Sequence, residues 1–262
     1  MKRVRAALLA ALLLVAACGS SQSSDLKTVA DAVAAADSQG MGFNVTLTIL
    51  FTGGTIPKGR AEQVKAQGTG VARDARAALR YDFLGSDGKP SSRWDLVLDD
   101  SDLYSRPYST SQPWRTAPTA SVTALFPGLR LNLVRDSILL ASKESGGGIT
   151  HVNEGFAHQY TLTPAADQLE QLQAMNLQGQ GPLETAFLKT ATGSIDVYLG
   201  LSGNQLLRID VHLNGTDPQT GTVQKDDFTI SFRSAKVKPI PVPSTATNVL
   251  PSDLFAKTPS TG

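Results

Sequence analysis

The chain contains the stretch Phe43-Asn44-Val45-Thr46-Leu47-Thr48-Ile49-Leu50-Phe51, in which apolar and polar side chains alternate almost throughout. Successive side chains of a β-strand point to opposite faces of a sheet, so this spacing predicts a strand with one buried face. Gly53, Gly54 and Pro57 then end the pattern. Such a strand needs partners on both sides, and segments further along the chain supply them.

The segments after this strand predict an antiparallel meander whose members alternate in the same way and are separated by polar or glycine-containing turns. These predicted strands are Val64 to Arg73, Ala75 to Leu84, Trp94 to Leu98 and Leu103 to Tyr108. Later strands are predicted at Ile149 to Val152, Phe156 to Thr163, Ser194 to Leu201, Gln205 to Leu213 and Phe228 to Phe232. The prolines at 239, 241 and 243 predict an extended tail at a sheet edge or on the surface.

Helical periodicity precedes the first strand and returns in the middle of the chain. The predicted helices are Asp25 to Gln39, Leu131 to Lys143 with a short turn at Thr123 to Phe126 before it, Pro164 to Met175, and Leu183 to Lys189. Ser145-Gly146-Gly147-Gly148 predicts a loop. About ten strands at roughly 4.8 Å make a sheet about 48 Å wide, whereas three or four helices at roughly 10 Å cover about 30 to 40 Å. The sheet must therefore curl, leave a gap, or both, and a curl that closes on side chains would leave no cavity.

The first eighteen residues predict a secretory signal that ends in a lipid attachment site. Lys2, Arg3 and Arg5 precede an uncharged run over 6–17. That run would form about 18 Å of helix, which is shorter than the roughly 30 Å hydrocarbon core of a bilayer. It ends in Val15-Ala16-Ala17-Cys18, which resembles the lipobox of bacterial lipoproteins, and the sequence contains one cysteine. The alternative is a secreted protein with a coincidental cysteine at an ordinary cleavage site.

The lipobox implies that Cys18 carries a diacylglyceryl thioether, often with a further N-acyl chain, and two or three acyl chains hold a protein on a membrane where one does not. The chain is then divided into a signal peptide over 1–17, a lipidated polar tether over 18–24 and a single domain over 25–262. The expected location is the extracytoplasmic face of the bacterial cell membrane, with the protein anchored by lipid.

Charge and cysteine content weigh against several classes of protein. The sequence carries 24 basic and 23 acidic residues, and loss of 1–17 leaves 21 basic residues against 23 acidic ones. Nucleic acid binding is disfavoured, because it needs a concentrated basic face that neutralises phosphates. An acylated Cys18 leaves no thiol for a disulfide or a cysteine-metal site, so a hydrophobic core must supply the stability.

The common catalytic and phosphate-binding motifs do not occur in the sequence, so we expect no enzyme activity and no cofactor. The nearest approaches to metal ligand sets are His151, Glu154 and His158, and Asp99, Asp100 and Asp102. Gly155 interrupts the first set and favours a turn between strands. The second set lacks the carboxylate that would close a calcium loop, and this favours a solvated hairpin turn.

Several segments match a known family in their order and spacing over nearly all of 25–255. They are the lipobox, the first helix running into Phe43-Asn44-Val45-Thr46-Leu47-Thr48, Asp102-Leu103-Tyr104 followed by Trp114, Gly155-Phe156-Ala157-His158-Gln159-Tyr160-Thr161-Leu162, and Ile240-Pro241-Val242-Pro243. Together they resemble the mycobacterial lipoprotein family of LppX, LprA, LprF and LprG, whose fold is shared with the periplasmic lipoprotein carrier LolA.

The resemblance implies an α+β fold in which a strongly curved antiparallel β-sheet forms a half-barrel and helices cover its concave face. An apolar cavity between them would hold the acyl chains of a glycolipid or neutral lipid. The implied function is a non-enzymatic lipid carrier of the cell envelope, with a lipid or glycolipid ligand and a transporter as a further partner. The alternative is an accessory lipoprotein with a filled core that docks a transporter or another envelope partner.

The apolar strand faces leave two interpretations open. They could line a lipid cavity or form an ordinary packed core, and the pattern alone favours the core, whereas the resemblance favours the cavity. The candidate cavity residues are Val45, Leu47, Ile49, Leu79, Tyr81, Phe83, Trp94, Leu96 and Leu98, together with Leu133 and Val134 of a predicted helix.

Overall fold

The computed structural model describes residues 24–55, 62–99, 101–108, 111–118, 135, 143–163, 190–250 and 253–255. One helix with defined bounds lies in these residues, α1 at Ser24–Gln39. Asp25 in its first turn complements the positive end of the helix dipole. Gly40 follows with a φ of +79°, the left-handed conformation in which helices commonly end. The predicted first helix is confirmed, and it begins at the last residue of the predicted tether.

In the described part of the chain, twelve β-strands form a single sheet. They are β1 Met41–Thr52, β2 Gln63–Arg73, β3 Arg76–Leu84, β4 Pro90–Leu98, β5 Asp102–Pro107, β6 Trp114–Pro118, β7 Lys143–Val152, β8 Gly155–Thr163, β9 Thr192–Gly200, β10 Leu206–Thr216, β11 Val223–Ser234 and β12 Ala246–Asn248. Their order across the sheet is β12-β6-β5-β4-β3-β2-β1-β11-β10-β9-β8-β7. Neighbouring strands are antiparallel except β12 and β6, which run parallel.

β1 joins the two halves of the sheet. It pairs along its length with β2 on one side and β11 on the other, so that Val45 stands opposite Gly68 and Ile230. Buried and more exposed residues alternate from Phe43 to Thr52, which is the predicted period of two. The strands predicted for the meander and for the last third of the chain are likewise confirmed, with ends shifted by a few residues.

The sheet is curved and unclosed, with β12 and β7 at its two edges. On one face, here called the concave face because apolar side chains from strands across the width of the sheet converge on it, these side chains form one buried cluster with the apolar side of α1. α1 packs chiefly against β2, β9 and β10, and so lies across the middle of the sheet. The remaining predicted helices lie outside the described residues, except that Arg135 is helical and Lys143 begins β7 rather than ending a helix.

The loop predicted at Ser145-Gly146-Gly147-Gly148 is wrong, because these residues lie inside β7, and Ser145, Gly146 and Gly148 pair with β8. The ring of Tyr160 explains one glycine: a Cβ added to Gly146 would lie 2.7 Å from its Cδ1 atom. The register of the two strands shifts between Gly146 and Gly148. A glycine run in a strand can therefore mark a bulge and a close approach of an aromatic ring instead of a turn.

The chain beyond β11 crosses the convex face and then returns to the sheet. Val237 and Ile240 are buried there in a second, smaller apolar cluster with Val97. The Arg73 guanidinium fixes this crossing, since its Nη1 donates to the Val237 carbonyl oxygen at 2.7 Å. Extended backbone was predicted for this tail, but the short strand β12 on the outer side of β6 was not.

β2 carries very small side chains toward the concave face, namely Ala66, Gly68, Gly70 and Ala72. A Cβ on Gly70 would lie only 2.3 Å from the Ala78 carbonyl oxygen of β3. The neighbouring backbone therefore approaches more closely than any side chain at this position would allow.

Gly70→Ala should lower the melting temperature by about 2–12 °C, because overpacking costs about 1–3 kcal/mol in a domain of this size. Thermal unfolding followed by circular dichroism measures this. Gly148→Ala is the matched control, since a Cβ there meets nothing within 4 Å. Equal shifts in both variants would contradict a close approach at β2.

Candidate functional site

The nine candidate cavity residues that fall within the described part of the chain all lie on the concave face of the sheet. Cross-strand pairing places Leu79 opposite Leu96 and Tyr81 opposite Trp94. Eight of the nine are buried, and Phe83 is partly buried against the same cluster. The eight are Val45, Leu47, Ile49, Leu79, Tyr81, Trp94, Leu96 and Leu98. Leu133, Val134 and Cys18 lie outside the described residues.

α1 covers the middle of this face and is held at its C-terminal end by a tight turn between β2 and β3. Asp74 and Ala75 in that turn have φ values of 52° and 59°, which non-glycine residues rarely adopt. The Asp37 carboxylate accepts a hydrogen bond from the Ala75 amide at 3.0 Å, and the Asp37 carbonyl accepts one from the Asp74 amide at 3.1 Å. These bonds fix the helix to the turn, and the sequence analysis did not identify Asp37.

The part of the face formed by β3 and β4 lies beyond this helix and is rich in aromatic rings. Tyr81 and Phe83 pack edge to face with their centroids 5.3 Å apart. Phe255, from the end of the chain, packs edge to face on Phe83 at 5.3 Å and on Trp94 at 5.4 Å. Burial raises the pKa of the Tyr81 phenol well above its usual value, so this ring stays neutral. The surface is suited to apolar groups.

The segment that covers this part of the face was not predicted from the sequence. Leu254 is fully buried in the concave cluster, and its carbonyl oxygen accepts a hydrogen bond from the buried Ser105 hydroxyl at 2.7 Å. Phe255 and Val249 pack against the same cluster. The only signal in the sequence is the apolar pair 254–255 placed after a proline-rich tail.

The convex face over β8 to β11 is polar and internally paired. Asp196 and Asp210 stand directly opposite each other on β9 and β10, and both are buried. Gln159 Nε2 donates to Asp196 at 3.2 Å, and Arg208 Nε donates to Asp210 at 2.9 Å. Each buried carboxylate thus has a donor, as its burial requires.

Two further side chains extend this network. His212 Nδ1 lies 2.7 Å from an Asp227 carboxylate oxygen, and its Nε2 lies 3.9 Å from Asp196. Burial and the neighbouring Asp210 and Asp196 carboxylates raise the pKa of Tyr198 to about 12. The acids and bases of this face therefore bond to one another, and the arrangement serves the structure of the sheet.

The side chains considered as metal ligands make other contacts. The His151 ring packs against Phe156 at 4.9 Å, and Asp99 accepts a hydrogen bond from Arg76 Nε at 3.1 Å. Within the described ranges, no group of three or more His, Cys, Asp or Glu side chains is arranged to hold a metal ion.

A depression of about 310 Å³ opens beside the C-terminal end of α1. Gln39, Asn204, Gln205 and Ser234 contribute polar groups to its lining. Its polarity makes it a poor match for an acyl chain, in contrast to the aromatic face of β3 and β4. No helix in the described part of the chain is long and apolar enough to cross a membrane.

Known proteins resemble this chain in structure rather than in sequence. No protein-family model matches it, and no curated protein matches it in sequence. LprF from Mycobacterium bovis is 10% identical, with 84% of this chain and 97% of LprF covered and a TM-score of 0.40. The Mycobacterium tuberculosis lipoprotein LppX is 8% identical, with 79% and 92% covered and a TM-score of 0.38.

A third structure, MucB in complex with the periplasmic part of MucA, is 12% identical. The alignment covers 82% of this chain and 58% of MucB, with a TM-score of 0.33. The solved structures to which this chain is similar thus include LprF and LppX, which are mycobacterial lipoproteins.

Proposed function

We propose that this protein is a membrane-anchored, extracytoplasmic lipoprotein that binds the acyl chains of a lipid or glycolipid and carries the lipid within the cell envelope. The observation that carries the proposal is the broad apolar face of a curved, unclosed sheet. Acyl chains that leave a bilayer expose apolar surface at about 25 cal/mol per Å². An apolar face protected from water offsets most of that cost, which is what a carrier requires.

The chemistry of the β3–β4 region supports an acyl ligand over a polar one. The side chains that these strands present to the concave face include Leu79, Tyr81, Phe83, Trp94 and Leu96, and none of them is charged. The Trp94 indole N–H is already bonded to the Ser92 hydroxyl at 3.3 Å. The binding free energy of a ligand here would come from shape complementarity and burial of apolar surface rather than from fixed hydrogen bonds. Binding would therefore tolerate variation in acyl chain length.

Within the concave face we place the ligand over β3 and β4 rather than over β1. Val45 lies tightly over β2, since its Cγ1 would be 2.9 Å from a Cβ on Gly68. β1 also lies between the strands that α1 contacts most, β2 on one side and β9 and β10 on the other. Leu96 and Leu98, on β4, lie outside the part of the face that α1 covers.

The function needs no catalytic residue, and we propose none. The anchor on Cys18 would keep the carrier at the membrane that supplies its ligand, with the tether over 18–24 setting its reach. A transporter or another envelope protein would exchange the lipid with this carrier.

Leu96→Trp should cut the lipid that co-purifies with the mature protein by more than half, while the melting temperature stays within about 5 °C, because an indole fills ligand space instead of packed core. Mass spectrometry of the extracted lipid, with thermal unfolding of the same samples, measures both effects. Val45→Trp, in the packed region, should instead lower the melting temperature by about 2–12 °C.

Leu201→Trp, at a side chain 48% exposed on the β9–β10 turn, is the surface control and should change neither quantity. If Leu96→Trp destabilises the protein as strongly as Val45→Trp and leaves lipid per folded molecule unchanged, the face is packed core and the carrier proposal is wrong.

Cys18→Ala should abolish incorporation of radiolabelled palmitate and leave the precursor unprocessed, since the thiol that receives the lipid is lost. Cys18 is the one cysteine of the sequence, so no second thiol can take the label. A labelled band that survives the substitution would refute the anchor.

An accessory lipoprotein that docks a partner is the second candidate function. The observation that favours it is a pair of exposed apolar side chains on the β7–β8 hairpin, Ile149 at 64% and Phe156 at 63% exposure. A protein purified from its own membrane with no bound lipid would favour this candidate over the carrier.

A further inference from the structure

The end of the chain turns around one edge of the sheet from the convex face to the concave face. Ile240 is buried on the convex side, and β12 then lies along the outer edge of β6. The Val249 amide donates to the Thr116 carbonyl at 2.9 Å. Leu254 is next buried on the concave side. The described residues of 240–255 form a strap that runs around this edge of the sheet. Its last described residues lie among the candidate cavity side chains.

The end of this strap packs on the aromatic region of β3 and β4, where we place the ligand. Phe255 fits its ring edge to face against both Phe83 and Trp94. Leu254 adds a fully buried aliphatic side chain to the same cluster. A leucine and a phenylalanine offer the same apolar chemistry as a segment of acyl chain, and the two cannot occupy one volume.

The strap is held more weakly than the strands that it covers. β12 has three residues, all exposed, and pairs with β6 alone. Beyond it, Ser105 Oγ donates to the Leu254 carbonyl at 2.7 Å, and Arg115 Nη1 donates to the Asp253 carbonyl at 2.9 Å. Segments with few buried contacts and exposed hydrogen bonds open at lower free energy than the core of a sheet.

We propose that Leu254 and Phe255 are a built-in occupant of the concave face, which an acyl chain must displace in order to bind. The inference rests on the proposed lipid-binding function and adds its regulation. The seated strap shields the aromatic face from water when no lipid is present, and it competes with lipid for the same surface. Release of bound lipid is then assisted by the return of the strap, and apparent affinity is reduced by the fraction of molecules in which the strap is seated.

The test uses the mature protein freed of lipid, with Trp114→Phe as background so that Trp94 is the remaining tryptophan. The probe is 11-(dansylamino)undecanoic acid, whose binding is followed by energy transfer from Trp94. Phe255→Ala should bind the probe about three- to tenfold more tightly than the background protein, because the seated fraction falls. Ser105→Ala, which removes one hydrogen bond of the strap and leaves the apolar face intact, should shift affinity in the same direction.

Leu250→Ala is the matched control, since this side chain belongs to the same tail but is 68% exposed. Its affinity should equal that of the background protein.

Two outcomes would overturn the inference, and they are distinguishable. If the background protein binds the probe but folded Phe255→Ala and Ser105→Ala bind it equally or less tightly, the strap is a fixed wall of the site and only this inference fails. If no variant binds the probe, the proposed lipid-binding function fails and the displaceable strap fails with it.

Discussion

The concave face of this sheet is wider than its one described helix can cover. Twelve strands spaced at about 4.8 Å amount to about 58 Å of sheet, whereas a helix with its side chains is about 10–12 Å across. Curvature reduces the mismatch, because it brings the outer strands toward the helix. What is left must be covered by other apolar groups, and the tail that ends at Leu254 and Phe255 is one of them. The stability of the sheet and the lipid binding proposed for it therefore both depend on how this face is covered.

The convex face needs an apolar cover over part of its width only. Over β8 to β11 it presents carboxylates, an imidazole and a guanidinium that satisfy one another, such as Arg208 with Asp210. Burying that surface under a second apolar layer would cost the hydration of these groups. Over β3 to β5, by contrast, Val97 and its neighbours are covered by the crossing tail through Val237 and Ile240. The same tail therefore closes the convex side of the meander and reaches the concave side of the same strands.

Local periodicity was sufficient to predict most of the elements. β1, β3 and β4 alternate because each has one face in a common cluster, and that alternation is written in the order of their residues. The glycines of β7 were misread because glycine normally marks a turn, and the Tyr160 ring above Gly146 explains one of them. β12 was missed because its three residues are all exposed and carry no apolar pattern.

The candidate site was predicted as a set of residues but not as an arrangement. Side-chain alternation assigns Leu79 and Leu96 to buried faces, yet it cannot say that they stand opposite each other in the sheet. It also cannot distinguish a face covered by α1 from one covered by the tail, since both require the same apolar residues. The contribution of Phe255 depends on the path of the tail around an edge, which no local pattern records.

The pairing of β1 with β11 also has a kinetic consequence. Residues 53–222 lie between these two strands, so the central strand lacks one of its two neighbours until almost the whole chain is present. Long-range pairing of this kind slows folding, and an unpaired strand edge invites association with other chains. A chain that crosses a membrane from its N-terminus would wait with β1 as an open edge until its last long strand emerges. The order of synthesis thus leaves the middle of the sheet to be completed after its β2 side, and the protein is most exposed to association with other chains during that interval.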